Sequence, residues 1–193
     1  DDGRHLIVAP VERGGKLVGL RFISSRPLRG MDGAPLGDKR QADGEGLTHQ
    51  GSGWLVSFER DHRVMHYDSL SGTAQPSSID PQALFGRLPD NGGVEAIATT
   101  SAGTFLCAER QATSNSPNCA LVTPHAVRYM SVVPPEPILD LGGVPTDADA
   151  DSAGNIYVLF RSYSPGDGSG AAVVSVAKDG ARTPLATLRP PLT

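Results

Sequence analysis

The chain has 193 residues, and its 21 Asp and Glu outnumber its 17 Lys and Arg to give a net charge of −4. An acidic balance without a basic run argues against a nucleic-acid-binding surface, and no apolar run approaches the ~20 residues of a membrane-spanning helix. The 23 Gly and 16 Pro are scattered among short alternating runs, which favours an all-β fold over disorder.

Taken in chain order, the alternating runs predict short strands separated by turns. The predicted strands cover residues 4–9, 17–23, 54–58, 63–67, 94–98, 104–108, 120–123, 126–130, 155–160, 171–176 and 182–188. A polar connector rich in Gly and Pro covers 26–42, and a loop covers 69–78. One or two helical turns are expected at 81–88. The loop at 162–170 is predicted to be long and flexible because Gly, Ser and Pro dominate it.

A repeat of about 50 residues organises these strands. The glycines that open the apolar runs are spaced by 50, 50 and 51 residues: Gly3, Gly53, Gly103 and Gly154. An acid stands eight residues before the glycine in two copies, at Glu45 and Glu95. In the fourth copy an acid stands seven residues before it, at Asp147. Features that recur at constant offsets indicate a repeated structural unit.

A period near 50 residues with several short strands per unit is typical of β-propeller blades, which stack because one small sheet cannot bury both faces alone. The repeat predicts a single β-propeller domain over 1–193, with about four blades in units at about 1–42, 43–90, 91–140 and 141–193. Since the chain starts inside one copy, we expect a fragment of a larger ring. A closed four-bladed propeller is the alternative.

In a propeller the innermost strand of each blade lines the central channel, and we expect the acidic residues of the repeat to lie where the chain leads into these strands. These acids are therefore candidate metal ligands: Asp43, Glu45, Glu95 and Asp147. Oxygen donors without a His/Cys cluster suit Ca²⁺, and a bound cation would let an acidic protein hold an anionic phosphate ester. The alternative is that these acids cap turns by bonding their own backbone.

A charged pair follows the strand in successive copies: Glu59-Arg60, Glu109-Arg110 and, in the fourth copy, Phe160-Arg161. Arg60, Arg110 and Arg161 are candidate phosphate-binding residues, because a guanidinium can fork onto two phosphate oxygens. They could instead pair with neighbouring blades and fasten the stack. For Glu59 and Glu109 we favour this structural role.

Two cysteines flank a predicted hairpin loop. Cys107 and Cys119 could be bridged if their strands are neighbours, or they could be two free thiols. A bond between them would imply an oxidising compartment, because cytosolic thiols are kept reduced.

Three pairs of motifs in a fixed order resemble one known family. They are DGEGL at 43–47 with VSFER at 56–60, NGGVEAIA at 91–98 with AER at 108–110, and PTDADA at 145–150 with VLFRSYSP at 158–165. The chain is similar to the phytase-like propeller proteins of bacteria, described as having esterase-like activity of phytase. The resemblance implies a six-bladed propeller that is exported to the periplasm or secreted, with this chain as an internal piece. The family usually has Leu-Glu-Arg where this chain has Leu159-Phe160-Arg161, so one acid of the set is missing.

The sequence therefore predicts a phytase-like propeller that acts at the channel mouth as a calcium-dependent phosphoric-ester hydrolase on an anionic small-molecule ester. One alternative is a non-catalytic propeller that binds a ligand or protein, and another is a lactonase-like metal-dependent esterase. No catalytic residue is assigned. A serine esterase has no nucleophile to name, because the sequence has no G-x-S-x-G elbow. Asp147, Asp149 and Asp151 lack the Gly and Glu that complete an EF-hand loop.

Overall fold

The structure is a computed structural model that describes residues 3–113, 115–166 and 168–189. Its strands are β1 (Arg4–Arg13), β2 (Lys16–Pro27), β3 (Gly44–Gln50), β4 (Gly53–Phe58), β5 (Arg63–Tyr67), β6 (Gln75–Pro76), β7 (Val94–Thr99), β8 (Thr104–Ala108), β9 (Cys119–Val122), β10 (Val127–Met130), β11 (Val144–Ala150), β12 (Ile156–Ser164), β13 (Gly168–Val176) and β14 (Arg182–Leu188). Its helices are α1 (Lys39–Ala42), α2 (Pro81–Phe85) and α3 (Glu136–Leu139). No helix in the described ranges has the length and apolar character needed to cross a bilayer.

Three four-stranded antiparallel sheets follow one another along the chain, after a hairpin formed by β1 and β2. We call them sheet A (β3–β6), sheet B (β7–β10) and sheet C (β11–β14). In each sheet the strands pair in chain order, so the first strand lies at one edge. β7 packs against β3 on one side and against β11 on the other. First strands that stand side by side are the inner strands of propeller blades, and the predicted all-β propeller fold is confirmed.

Apolar side chains fill the space between neighbouring sheets. In β8, Leu106 and Ala108 pack toward sheet A, while Phe105 and Cys107 pack toward sheet C. Side chains alternate between the two faces of a strand, and all five residues of β8 are buried. Burying a Leu- or Phe-sized side chain stabilises the fold by about 1.5–3 kcal/mol. Sheet B is therefore the central layer of the described stack.

The hairpin of β1 and β2 is longer than the strands predicted at 4–9 and 17–23. Gly14 and Gly15 join its strands with φ angles of 58° and 72°, the left-handed conformation that a two-residue type I′ turn needs. The base of the hairpin is tied by the Leu28 N–H, which donates to the Gly3 carbonyl at 2.6 Å. Most of its large apolar side chains are exposed.

The prediction of a long flexible loop at 162–170 is wrong. β12 continues to Ser164 and β13 starts at Gly168, and these two residues pair with each other. Gly170 explains the difference, because a Cβ there would lie 2.8 Å from both Ser162 Oγ and Ile138 Cδ1. The glycine therefore permits close packing within a strand, which composition alone suggests is a loop. The helical turn predicted at 81–88 is confirmed by α2.

Cys107 in β8 lies directly opposite Cys119 in β9. The two cysteines form a disulfide, so the bridged alternative is confirmed. The bond joins adjacent strands of the central sheet.

Candidate metal centre

A β-bulge gives Glu45 and Glu95 the same position in sheets A and B. Gly44 pairs with Phe58 and Gly46 with Ser57, so Glu45 is the extra residue between two regular pairs. Val94 pairs with Ala108 and Ala96 with Cys107, which makes Glu95 the extra residue of sheet B. A bulge bends the strand and re-aims the side chain of the extra residue.

A glycine lets the two inner strands approach each other at these bulges. A Cβ on Gly46 would lie 2.6 Å from the Glu95 carbonyl oxygen and 2.6 Å from Ser57 Oγ. The Gly46 N–H donates to the same Ser57 hydroxyl at 2.9 Å. Only glycine permits this close packing, and it brings the two bulges side by side.

Five carboxylates gather around the bulges, and we call them the acid cluster: Asp43, Glu45, Glu59, Glu95 and Glu109. Oxygens of Asp43, Glu45 and Glu59 lie within 4.8 Å of one another, and so do oxygens of Glu59, Glu95 and Glu109. Glu59 belongs to both groups and is buried. One of its oxygens, Oε1, accepts a hydrogen bond from the Gly93 N–H at 3.2 Å, which fixes it between sheets A and B.

The crowding of these acids changes their protonation. Burial raises the pKa of Glu95 to about 8, and the charges of Glu109 and Glu45 add to the effect. The pKa of Glu109 is raised mainly by burial, but the hydrogen bond from Glu95 lowers it. Burial and then the charge of Glu59 raise the pKa of Glu45. Glu95 therefore stays protonated near neutral pH, and its O–H donates a hydrogen bond to Glu109.

Arg60 binds Asp43 at the edge of the cluster. The guanidinium Nε donates to Asp43 Oδ2 at 2.5 Å, and the Asp43 side chain is 3% exposed. Arg60 also has a φ of 60°, a left-handed conformation that costs a non-glycine residue about 1 kcal/mol or more. The Arg60 guanidinium therefore compensates the negative charge of the buried Asp43 carboxylate, and that carboxylate holds the guanidinium in place.

Arg110 bonds to the backbone of the protein itself. Its Nη1 donates to the Phe85 carbonyl at 3.0 Å and its Nη2 to the Pro117 carbonyl at 2.8 Å. The guanidinium also lies over the Phe85 ring, 5.5 Å from its centre. Arg110 thus ties α2 to the turn before β9.

Sheet C has a different set of side chains at the corresponding positions. Pro145 pairs with Phe160 and Asp147 with Leu159, so Thr146 is the bulge residue that corresponds to Glu45 and Glu95. Asp147 belongs to neither carboxylate group among the described residues. Its Oδ1 accepts a hydrogen bond from the adjacent Ala148 N–H at 2.8 Å.

Arg161 also has a different position from the one that the dipeptide repeat indicates. In sheet A the residue after the bulge-paired Phe58 is Glu59, and in sheet C the residue after Phe160 is Arg161. Arg161 therefore corresponds to Glu59 and Glu109, and Ser162 corresponds to Arg60. The Arg161 guanidinium lowers the pKa of both Glu95 and Glu109, so its charge acts on the cluster.

Sequence reasoning missed two members of the cluster. Glu59 and Glu109 were expected to fasten the blades, but their carboxylates lie among the acids of the inner strands. Their recurrence at the same offset from Gly53 and Gly103 was the available signal. For Glu59 the signal was ambiguous because residues 44–50 were not predicted to be the strand that pairs with β4.

The acid cluster has the donor groups to hold a divalent cation. Each member offers carboxylate oxygen, the ligand that Ca²⁺ prefers, and Ca²⁺ tolerates six to eight such ligands in flexible geometry. Without a cation, like charges this close are relieved by protonation, as the raised pKa of Glu95 indicates. The donor set contains no soft ligand that would favour a transition metal.

Comparison with known proteins agrees with this architecture. A family model described as "Phytase-like: Esterase-like activity of phytase" matches residues 2–191. No curated protein matches the chain. Because the family model covers nearly the whole sequence, the chain belongs to the phytase-like family, as its motifs predicted.

Proposed function

We propose that the chain forms the cation-binding part of a calcium-dependent phosphoric-ester hydrolase. The observation that supports this most directly is the acid cluster, in which two sheets contribute carboxylates to one small volume. Membership of the phytase-like family supports hydrolase chemistry in general terms. The substrate class is an anionic small-molecule ester, held at the mouth of the propeller channel.

Glu45, Glu59, Glu95 and Glu109 would hold the cation in this proposal, with Asp43 beside them. Ligating carboxylates must be deprotonated, so the proton on Glu95 would leave to solvent. A bound calcium ion would supply positive charge for a phosphoryl group and orient a water molecule. Glu59 is pre-positioned by the Gly93 N–H, which reduces the cost of ordering that ligand.

We further propose that the protein works in the periplasm or outside the cell. The disulfide between Cys107 and Cys119 supports this, because such bonds persist in oxidising compartments and are rare in the cytosol.

A non-catalytic binding propeller is a second candidate function, and specific contacts favour it. Asp43 is paired with Arg60 and Glu59 accepts a backbone N–H, so both acids also hold the fold together. In that case the cluster would bind a cation or ligand at the channel mouth without turnover.

Calcium titration by calorimetry, together with phosphate release from phenyl phosphate, tests both candidates. The hydrolase predicts saturable calcium binding and turnover that a chelator abolishes. Glu95→Gln should weaken both, while Glu12→Gln, at an exposed position near the tip of the β1–β2 hairpin, should change neither. Calcium binding without turnover would favour the binding propeller. Absence of calcium binding at millimolar concentration would eliminate the calcium-dependent hydrolase.

A further inference from the structure

Three arginines were candidates for binding phosphate, and their surroundings differ. Arg60 is engaged by the buried Asp43, and both terminal nitrogens of Arg110 donate to backbone carbonyls. Arg161 is exposed, and its guanidinium makes no hydrogen bond or ion pair to another described residue, although its backbone lies in the sheet C ladder. It is therefore the arginine whose donors remain available to a ligand.

The register of sheet C brings Arg161 to the cluster in place of an acid. It follows Phe160, which pairs with Pro145 at the bulge of sheet C. The residues with the same relation to the bulges of sheets A and B are Glu59 and Glu109, both cluster members. β7 and β11 pack side by side, so the guanidinium borders the cluster on the side of sheet B, where Glu95 and Glu109 lie.

We propose that Arg161 is the anion-binding residue of this site and that it takes the position of a third carboxylate. This inference rests on the proposed function. Sheets A and B supply acids to one cation, and sheet C supplies a fixed positive charge beside it. A phosphate dianion would bridge the cation and Arg161, with the guanidinium forking onto two of its oxygens. The arrangement selects phosphate esters over neutral carboxylic esters, for which a guanidinium offers no charge complement.

The test measures binding of inorganic phosphate in the presence of calcium, at concentrations below the solubility limit of calcium phosphate. Arg161→Gln should weaken phosphate binding about 10-fold or more, the loss expected for a charge-assisted hydrogen bond. Arg161→Lys should recover part of it, because the charge returns without the fork. Arg161→Glu should abolish phosphate binding and tighten calcium binding several-fold, since it restores the third acid. Arg182→Gln is the matched control, because Arg182 lies in the same sheet opposite Val176, at the end away from Arg161.

The outcomes separate the two proposals. If the unaltered chain binds no calcium, the calcium-dependent hydrolase is wrong and this inference fails with it. If calcium binds normally but Arg161→Gln and Arg182→Gln have the same phosphate affinity, Arg161 is not the anion-binding residue, and the calcium site stands. Circular dichroism spectra should coincide for all variants, because the side chain of Arg161 is exposed and its removal leaves no cavity.

Discussion

Replacing Glu95 with Gln should stabilise the cation-free chain at high pH. The folded pKa of Glu95 is about 8 against an ordinary value of 4.5, so the folded state binds more protons than the unfolded state between these values. Stability that the proton contributes is therefore complete below about pH 4.5 and is lost as the pH rises through about 8. Gln is neutral throughout and keeps an N–H donor for Glu109.

The size of the effect follows from the same pKa. A folded value of about 8 against 4.5 corresponds to a ceiling of about 4.8 kcal/mol, at about 1.36 kcal/mol per pH unit. Because Glu95 is only half-buried, solvent screening reduces this to about 2 kcal/mol. For a chain of this length, about 2 kcal/mol corresponds to a change of about 4–8 °C in Tm.

Thermal unfolding followed by circular dichroism, with a chelator present, at about pH 5 and about pH 8 measures this difference. The unaltered chain should lose more Tm between the two values than Glu95→Gln does, by about 4–8 °C. Glu12→Gln should behave as the unaltered chain. Equal losses in the unaltered chain and in Glu95→Gln would show that Glu95 does not carry a proton in the folded cluster.

Three other results are expected. Calcium should raise the Tm more at about pH 8 than at about pH 5, because the carboxylates that bind it must lose their protons. At a free calcium concentration about 100 times Kd, binding should stabilise the folded chain by about 2.7 kcal/mol. Gly46→Ala should cost about 1–3 kcal/mol and weaken calcium binding, as measured by calorimetry, because its Cβ would lie 2.6 Å from the Glu95 carbonyl; unchanged calcium affinity would contradict the role of the close approach. Reducing the bond between Cys107 and Cys119, which are 12 residues apart, should cost about 2–4 kcal/mol in denaturant unfolding; a midpoint unchanged by reductant would refute this.

Most strands could be predicted from the sequence, and β12 shows why, because its side chains alternate between buried and less buried and so leave a period of two. β3, β6 and β11 were not among the predicted strands. The failure at 162–170 has a specific cause. Gly170 indicated a loop, but it lies within β13 because Ser162 and Ile138 leave no room for a Cβ. A glycine that permits close packing and a glycine that permits a turn look the same in a sequence.

The candidate site was harder to predict because a bulge adds one residue to one strand only. The acids at Glu45 and Glu95 were found from their constant distance to Gly53 and Gly103. Applying that distance of eight residues to Gly154 gives Thr146, which is the bulge residue of sheet C. Asp147 was predicted instead because it is an acid, although its distance to Gly154 is seven residues. The pairing register agrees with the distance of eight residues and makes Thr146 the bulge residue.

The contacts of Glu59 are compatible with a structural role and with the proposed site role at the same time. Its Oε1 accepts a hydrogen bond from the Gly93 N–H, which holds the start of sheet B against the end of β4. Glu59 also contributes a carboxylate oxygen to each of the two groups of the cluster, and the oxygens of each group lie within 4.8 Å of one another. A Cβ on Gly93 would lie 3.3 Å from Glu59 Cα and from its Cγ, so the contact that orders the side chain depends on the same glycine. A ligand held in this way loses little freedom when a cation binds, and the contacts that fasten the sheets therefore also pre-organise the proposed site.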